Sequence, residues 1–182
     1  MAGIAGIQKG NMNTLETMLA SLRYRDSYET WTSPTQYTKI GCGKLETESR
    51  QQRQLSSHAN GKFAILDGHL YNAPPHSLAD TALLLSLYEE YGLQFAERLD
   101  GGFPCALPDS GEQVLSPDPL GLEPLYCGYQ GWEFYFTSWT KALTEVAQEM
   151  KGFTPKVKAP DFETKEEAKK ILVNLLTDQS GF

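Results

Sequence analysis

The chain has 182 residues, of which 40% are hydrophobic and 11% aromatic, enough side-chain volume for one globular domain with a real core. A formal net charge of −7 and a pI near 5.0 exclude the concentrated basic face that nucleic acid and anionic membrane surfaces require. Cys42, Cys105 and Cys127 form no CxxC pair, and His58, His69 and His76 show no zinc-ligand spacing with them, so the thiols read as reduced core residues and no metal or cofactor is expected.

The opening run Met1-Ala2-Gly3-Ile4-Ala5-Gly6-Ile7 reads as a strand buried on both faces, because glycine admits close backbone neighbours and isoleucine fills the layers on either side. It is too short for a signal h-region, and no apolar run approaches the ~18 residues of a membrane span, so a cytoplasmic location without a membrane partner is expected. Asn13 and Glu16 read as a capping box, with Leu15, Met18, Leu19 and Leu22 on one helical face. The stretch from Arg23 to Asn60 is polar and poorly periodic, with Trp31, Pro34 and Gly41-Cys42-Gly43 marking loops between short strands.

Phe63 to Leu66, an Asp67-Gly68 turn and Leu70-Tyr71 read as a hairpin or a bulged strand pair. Ser77 and Asp80 cap a second helix that buries Leu84, Leu85, Leu87, Tyr88 and Tyr91 and stops at Gly92. After a helical piece around Phe95 to Leu99, the turn Asp100-Gly101-Gly102 leads to strands at Phe103 to Leu107, Val114 to Ser116, Leu125 to Tyr129 and Trp132 to Thr137. Strands and helices come in blocks, which favours an α+β layered domain.

Lys151 to Pro160 reads as an exposed linker, and Thr164 and Glu167 cap a last helix whose Ala168, Ile171, Leu172, Leu175 and Leu176 form one apolar stripe. The chain thus divides into a domain over 1–150 and a linker with helix over 151–182. That helix is expected to dock on a further domain, the alternative being a return onto the core.

Six motifs occur in order: Gly3-Ile4-Ala5-Gly6-Ile7; Gly68-His69-Leu70-Tyr71-Asn72; Asp80-Thr81 with Leu87-Tyr88-Glu89-Glu90-Tyr91-Gly92; Leu99-Asp100-Gly101-Gly102-Phe103; Asp118-Pro119-Leu120-Gly121-Leu122-Glu123-Pro124-Leu125-Tyr126; and Ser138 with Lys141-Ala142-Leu143. Together they resemble the glutaminase domain of asparagine synthetase, a class II glutamine amidotransferase. The resemblance implies an Ntn-hydrolase-like fold, a four-layer αββα sandwich of two antiparallel sheets. It also implies a glutamine pocket at the N-terminus, where a Cys that follows the initiator Met attacks the amide while its own α-amino group takes the proton.

Ala2 stands at that nucleophile position and offers no thiol. The arginine that grips the glutamine carboxylate corresponds to Lys44, before Leu45, and a lysine lacks the bidentate fork. The Asn-Gly pair that donates to the oxyanion corresponds to Asp67-Gly68, and the glutamate after it to His69. The aspartate that holds the substrate amino group corresponds to Asp80, which serves equally as a helix cap. Lys44 reads equally as a solvated surface lysine, His69 as a satisfied hairpin histidine and Asp67 as a turn residue. The family's His-Arg-Gly-Pro-Asp loop appears as Tyr24-Arg25-Asp26-Ser27-Tyr28, its Arg-Asp pair as Pro117-Asp118, and its Ser-Glu as Ser138-Trp139.

The expectation is therefore a glutaminase-like domain without a catalytic residue, supporting an asparagine-synthetase-related ATP-dependent amide- or lactam-forming synthetase in cis or in trans. Two alternatives remain, an active-site knockout of a glutamine-hydrolysing asparagine synthetase and a module that binds a small amino acid. A homo-oligomer stays open.

Overall fold

The computed structural model describes residues 3–22, 27–32, 37–44, 55–57, 62–73, 80–109, 112–149 and 154–156. The opening apolar run forms β1 (Gly3–Gln8), which lies between β3 (Thr38–Lys44) and β11 (Glu133–Thr137) in a six-stranded antiparallel sheet. β2 (Ser27–Thr32) forms one edge beyond β3, and β10 (Tyr126–Gln130) and β12 (Thr154–Lys156) complete the other side. A second antiparallel sheet runs β4 (Leu55–Ser57), β5 (Phe63–Leu66), β8 (Cys105–Asp109), β9 (Glu112–Ser116).

Side chains of β1 alternate between two cores, as a period of two requires. Ile4 faces inward and meets Ile40, Phe134 and Phe136 of its own sheet and Ile65, Ala106 and Leu115 of the other. Ala5 and Ile7 face outward and pack with Leu15, Met18, Tyr135, Leu143 and Val146 under α1 (Met12–Ala20) and α3 (Thr140–Glu149). On the outer face of the second sheet, α2 (Asp80–Tyr91) sets Leu84, Leu85 and Tyr88 against Ala64, Leu66, Cys105, Leu107 and Val114. Helix, sheet, sheet, helix is the order of layers, the αββα sandwich that was expected.

Gly6 lies on the inward face beside Ile4, and a Cβ there would stand 2.1 Å from the Phe136 ring and 3.0 Å from Ile40. The absence of a side chain lets Phe136 cross β1 and join the two sheets. Helix α2 stops where the sequence predicts, since Gly92 takes φ +55 and a 3-10 turn follows over Gly92–Arg98.

Several elements depart from the sequence reading. The cap of α1 is Asn11 rather than Asn13: its carboxamide oxygen accepts from the Thr14 amide at 2.9 Å and from the Thr14 hydroxyl at 3.0 Å, so Asn13 lies inside the helix. Phe63 to Tyr71 is no hairpin. β5 pairs with β4 and β8, while β6 (His69–Leu70) pairs with β7 (Gly101–Gly102), in the same register that joins Leu66 to Cys105.

One long antiparallel ladder is thus interrupted at Asp67-Gly68 opposite Phe103-Pro104, where proline has no amide to donate and the Asp67 amide reaches the Pro104 carbonyl at 3.0 Å. Thr154–Lys156, inside the stretch read as linker, pairs with β10 and belongs to the first sheet. Helix α3 was not foreseen, and the helix expected after Thr164 lies outside the described residues.

A Gly6→Val variant forces a branched side chain into the Phe136 ring, and overpacking of this kind costs about 1–3 kcal/mol. Urea unfolding should show the midpoint falling with an unchanged m-value.

Candidate functional site

The start of β1 is fixed from one side by the end of β11 and the residue after it. The Ile4 amide donates to Ser138 Oγ at 3.0 Å, and the Ile4 carbonyl accepts from the Ser138 amide at 3.0 Å and from Thr137 Oγ1 at 2.8 Å. Thr137 is fully buried and Ser138 nearly so, so these bonds are shielded from water. On the other side Gly3 pairs with Gly43, one residue before Lys44 at the end of β3. Leu22 and Trp139 close over Gly3 itself. The side chain of Lys44 and the whole of Ala2 and Leu45 lie outside the described residues.

The second sheet delivers acidic groups to the same end of the sandwich. From Ser116, which pairs with Cys105 beside Leu66, the chain crosses through residues 117–125 to Tyr126, which pairs with Thr137. Leu125 in this crossing packs with Ile4 in the core between the sheets. Asp118 organises the crossing from within: one carboxylate oxygen accepts from the Leu120 amide at 2.9 Å and the Leu122 amide at 3.0 Å, the other from the Glu123 amide at 2.9 Å. Gly121, at φ +65, supplies the left-handed residue that lets three amides converge on one side chain.

Asp67 is buried to 1% exposure next to the ladder break, and its charge and that of Asp118 are both felt by Glu123. Partial burial first, then those two charges, push the Glu123 carboxyl above the usual carboxylate range. Asp67, Asp118 and Glu123 are thus one electrostatic group, and Glu123 is a member that sequence reading did not single out. Its partners come from two separate loops, and only its place in the motif after Asp118 pointed there.

The other expected site residues separate. Gly68 has φ +125, and a Cβ on it would stand 2.1 Å from the Gly102 carbonyl oxygen, so only glycine fits. His69 is exposed on the ribbon opposite Gly102. Asp80 opens α2, and its carboxylate accepts from the Leu70 amide at 3.0 Å, tying the helix start to the ribbon. Among the described residues no group of three or more His, Cys, Asp or Glu is arranged to hold a metal ion. Burial drives the Cys105 thiol far up, which keeps it protonated and unreactive.

A sequence model of the glutamine amidotransferase domain matches residues 1–163. The chain belongs to the glutamine amidotransferase domain family. It is 38% identical over 78 residues to asparagine synthetase B (glutamine-hydrolyzing) of Escherichia coli, an alignment covering 41% of this chain and 14% of that protein. Over 103 residues it is 31% identical to a glutamine-hydrolyzing asparagine synthetase of Sandersonia aurantiaca, covering 50% of this chain and 20% of the relative.

Alignment with the curated relatives therefore takes in a fifth of their length or less. Among solved structures, the glutamine phosphoribosylpyrophosphate amidotransferase of B. subtilis superposes with a TM-score of 0.65 over 86% of this chain and 45% of its own, at 17% identity. That likeness shows the Ntn-type fold of a glutamine amidotransferase domain.

Two outcomes follow from the acidic crossing. Asp118→Ala leaves three amides without their acceptor and should cost on the order of 3 kcal/mol, seen as an earlier urea midpoint and faster amide exchange at Leu120, Leu122 and Glu123. Glu123 has a raised folded-state pKa, so the folded chain holds this proton more tightly than the unfolded one, and stability falls as pH rises through the unfolded value toward the folded one. Glu123→Gln should accordingly raise the melting temperature at neutral pH and leave it unchanged at about pH 3, where the carboxyl is protonated in both states.

Proposed function

We propose that this glutamine amidotransferase domain does not hydrolyse glutamine and acts as a structural support for an asparagine-synthetase-related ATP-dependent synthetase that forms amide or lactam bonds, in cis or in trans. The observation that carries the reading is the buried carboxylate of Asp67 at the position where the resemblance implies an oxyanion donor. A carboxylate accepts and cannot donate, and its charge opposes the negative oxygen that amide hydrolysis develops. Losing one oxyanion donor costs roughly 2.7–4 kcal/mol of transition-state stabilisation before any repulsion is added.

Ala2 supports the same conclusion from the nucleophile side, and Lys44 from the substrate side. The scaffold around them is intact: β1 is central, its start is bonded to Thr137 and Ser138, and Asp118 shapes the crossing. Such a domain retains the surface and rigidity that a partner needs while lacking the chemistry. A cytoplasmic setting and a synthetase partner belong to this proposal; among the described residues no helix is long and apolar enough to cross a membrane.

The second reading, an active-site knockout of a live enzyme, differs in one position only. An ammonia-release assay with glutamine should show no rate above buffer for this chain. Nucleophile, carboxylate clamp and oxyanion donor are separate requirements, so Ala2→Cys alone should leave the rate at background. Appreciable turnover by the Ala2→Cys protein would overturn the degenerate reading in favour of the knockout.

A further inference from the structure

Two of the six motifs, the one from Gly68 to Asn72 and the one from Leu99 to Phe103, meet in the ribbon of β6 and β7. The ribbon is weak by itself. Its strands pair over two residues each, one strand is a pair of glycines with no side chain to pack, and a Cβ on Gly101 would collide with the His69 carbonyl oxygen. Yet the ribbon continues the ladder that carries Asp67, whose amide reaches the Pro104 carbonyl, so fraying of the ribbon passes next to the Asp67-Gly68 junction.

Asn72 closes the open end. The Tyr71 amide donates to the Asp100 carbonyl at 2.7 Å, and the Asn72 side chain then spans to the opposite segment twice: its nitrogen donates to the Arg98 carbonyl at 2.7 Å and its oxygen accepts from the Asp100 amide at 3.2 Å. A carboxamide offers a donor and an acceptor side by side, as a peptide unit does, so this side chain adds a rung where the backbone ladder stops. Aspartate has no proton for the Arg98 carbonyl, and alanine has neither group.

Helix α2 grips the ribbon from both of its ends. At its start Asp80 takes the Leu70 amide at 3.0 Å. At its end Tyr91 lies under Arg98, whose guanidinium carbon is 3.6 Å from the ring centroid, and Phe95 of the 3-10 turn meets Tyr88 edge-on with centroids 5.6 Å apart. The segment that receives Asn72 is thereby fixed to the helix.

We propose that Asn72 is a positioning residue: by locking β6 to the segment Arg98–Asp100 it holds the Asp67-Gly68 junction in place and keeps the buried Asp67 carboxylate within the field of Asp118 and Glu123. It acts through the ribbon. This goes beyond the proposed function and holds whether or not the domain hydrolyses glutamine.

Asn72→Ala in the full chain tests the assignment, since the side chain is exposed and its removal leaves the core intact. Amide exchange at Tyr71 and at Asp67 should each speed up by about tenfold or more while β1 and β11 keep their protection. The Glu123 carboxyl, followed by its carbon chemical shift through a pH titration, should titrate lower than in the parent, because the Asp67 charge is one of the causes that raise it. A side chain that merely caps the ribbon would change Tyr71 alone. Asn72→Asp keeps an acceptor for the Asp100 amide and loses the donor to Arg98; it should speed exchange at Asp67 by a smaller factor, and it is read where the alanine variant does not fold. In a folded Asn72→Ala chain, unchanged exchange at Asp67 or an unmoved Glu123 titration would overturn the assignment, as would an Asn72→Asp chain with the parent's exchange at Asp67.

Discussion

The three bonds at Ile4 are the constraint on which the rest of the molecule rests. A backbone amide and carbonyl buried between two hydrophobic layers must find partners, and here both find them at Thr137 and Ser138, at the last residue of β11 and the one after it. The start of β1 is thereby fixed against the neighbouring strand at the point where that strand turns into α3. Because β1 is central in its sheet, its register sets those of β3 and β11 directly and of β2 and β10 through them. The end of the sandwich where the resemblance puts the nucleophile position is therefore held from both sides, by β11 and by β3.

Against this rigid end stands a loop system governed by one carboxylate. Asp118 spends both oxygens on backbone amides, so its charge is delocalised into the crossing, while Asp67 and Glu123 lie within its field. Bonds of this kind are strong because the acceptor is ionised and the site excludes water. The neighbour is affected too: Glu123 must ionise in a partly buried place and near two like charges. A loop built for rigidity thus leaves this group of carboxylates together at one place.

Elements governed by local signals were legible in the sequence. β1 showed itself through small and apolar residues, α2 through its period and Gly92, and the strands from Cys105 to Thr137 through their spacing and turns. Where two local signals competed, the structure chose by context: Asn11 outbid Asn13 because Thr14 offers it both an amide and a hydroxyl. The Asp67-Gly68 pair is a common hairpin signal, yet the strands on either side continue in register along a third segment, and a ladder shared with residues some 35 positions away leaves no trace in the local pattern.

α3 escaped notice because its buried face is narrow, with Ala142, Leu143 and Val146 among polar residues. The Glu123 electrostatics depend on approaches through space. Lys44 stood out only because the resemblance named its position.

The field of this end also weighs against its use as an amino-acid site. An α-amino acid brings an ammonium and a carboxylate a few ångströms apart, and binding requires opposite charges to receive both. Asp80 already gives one oxygen to the Leu70 amide, although a carboxylate has further lone pairs, so an ammonium could share it. The carboxylate meets a harder problem. The resemblance supplies it with Lys44 alone, a point charge on a flexible stem, while Asp67, Asp118 and Glu123 form one acidic group.

At an effective dielectric of about 20, one like charge at ~4 Å costs about 4 kcal/mol, comparable to the whole binding energy of a millimolar ligand. Such a field favours a cation or no ligand at all.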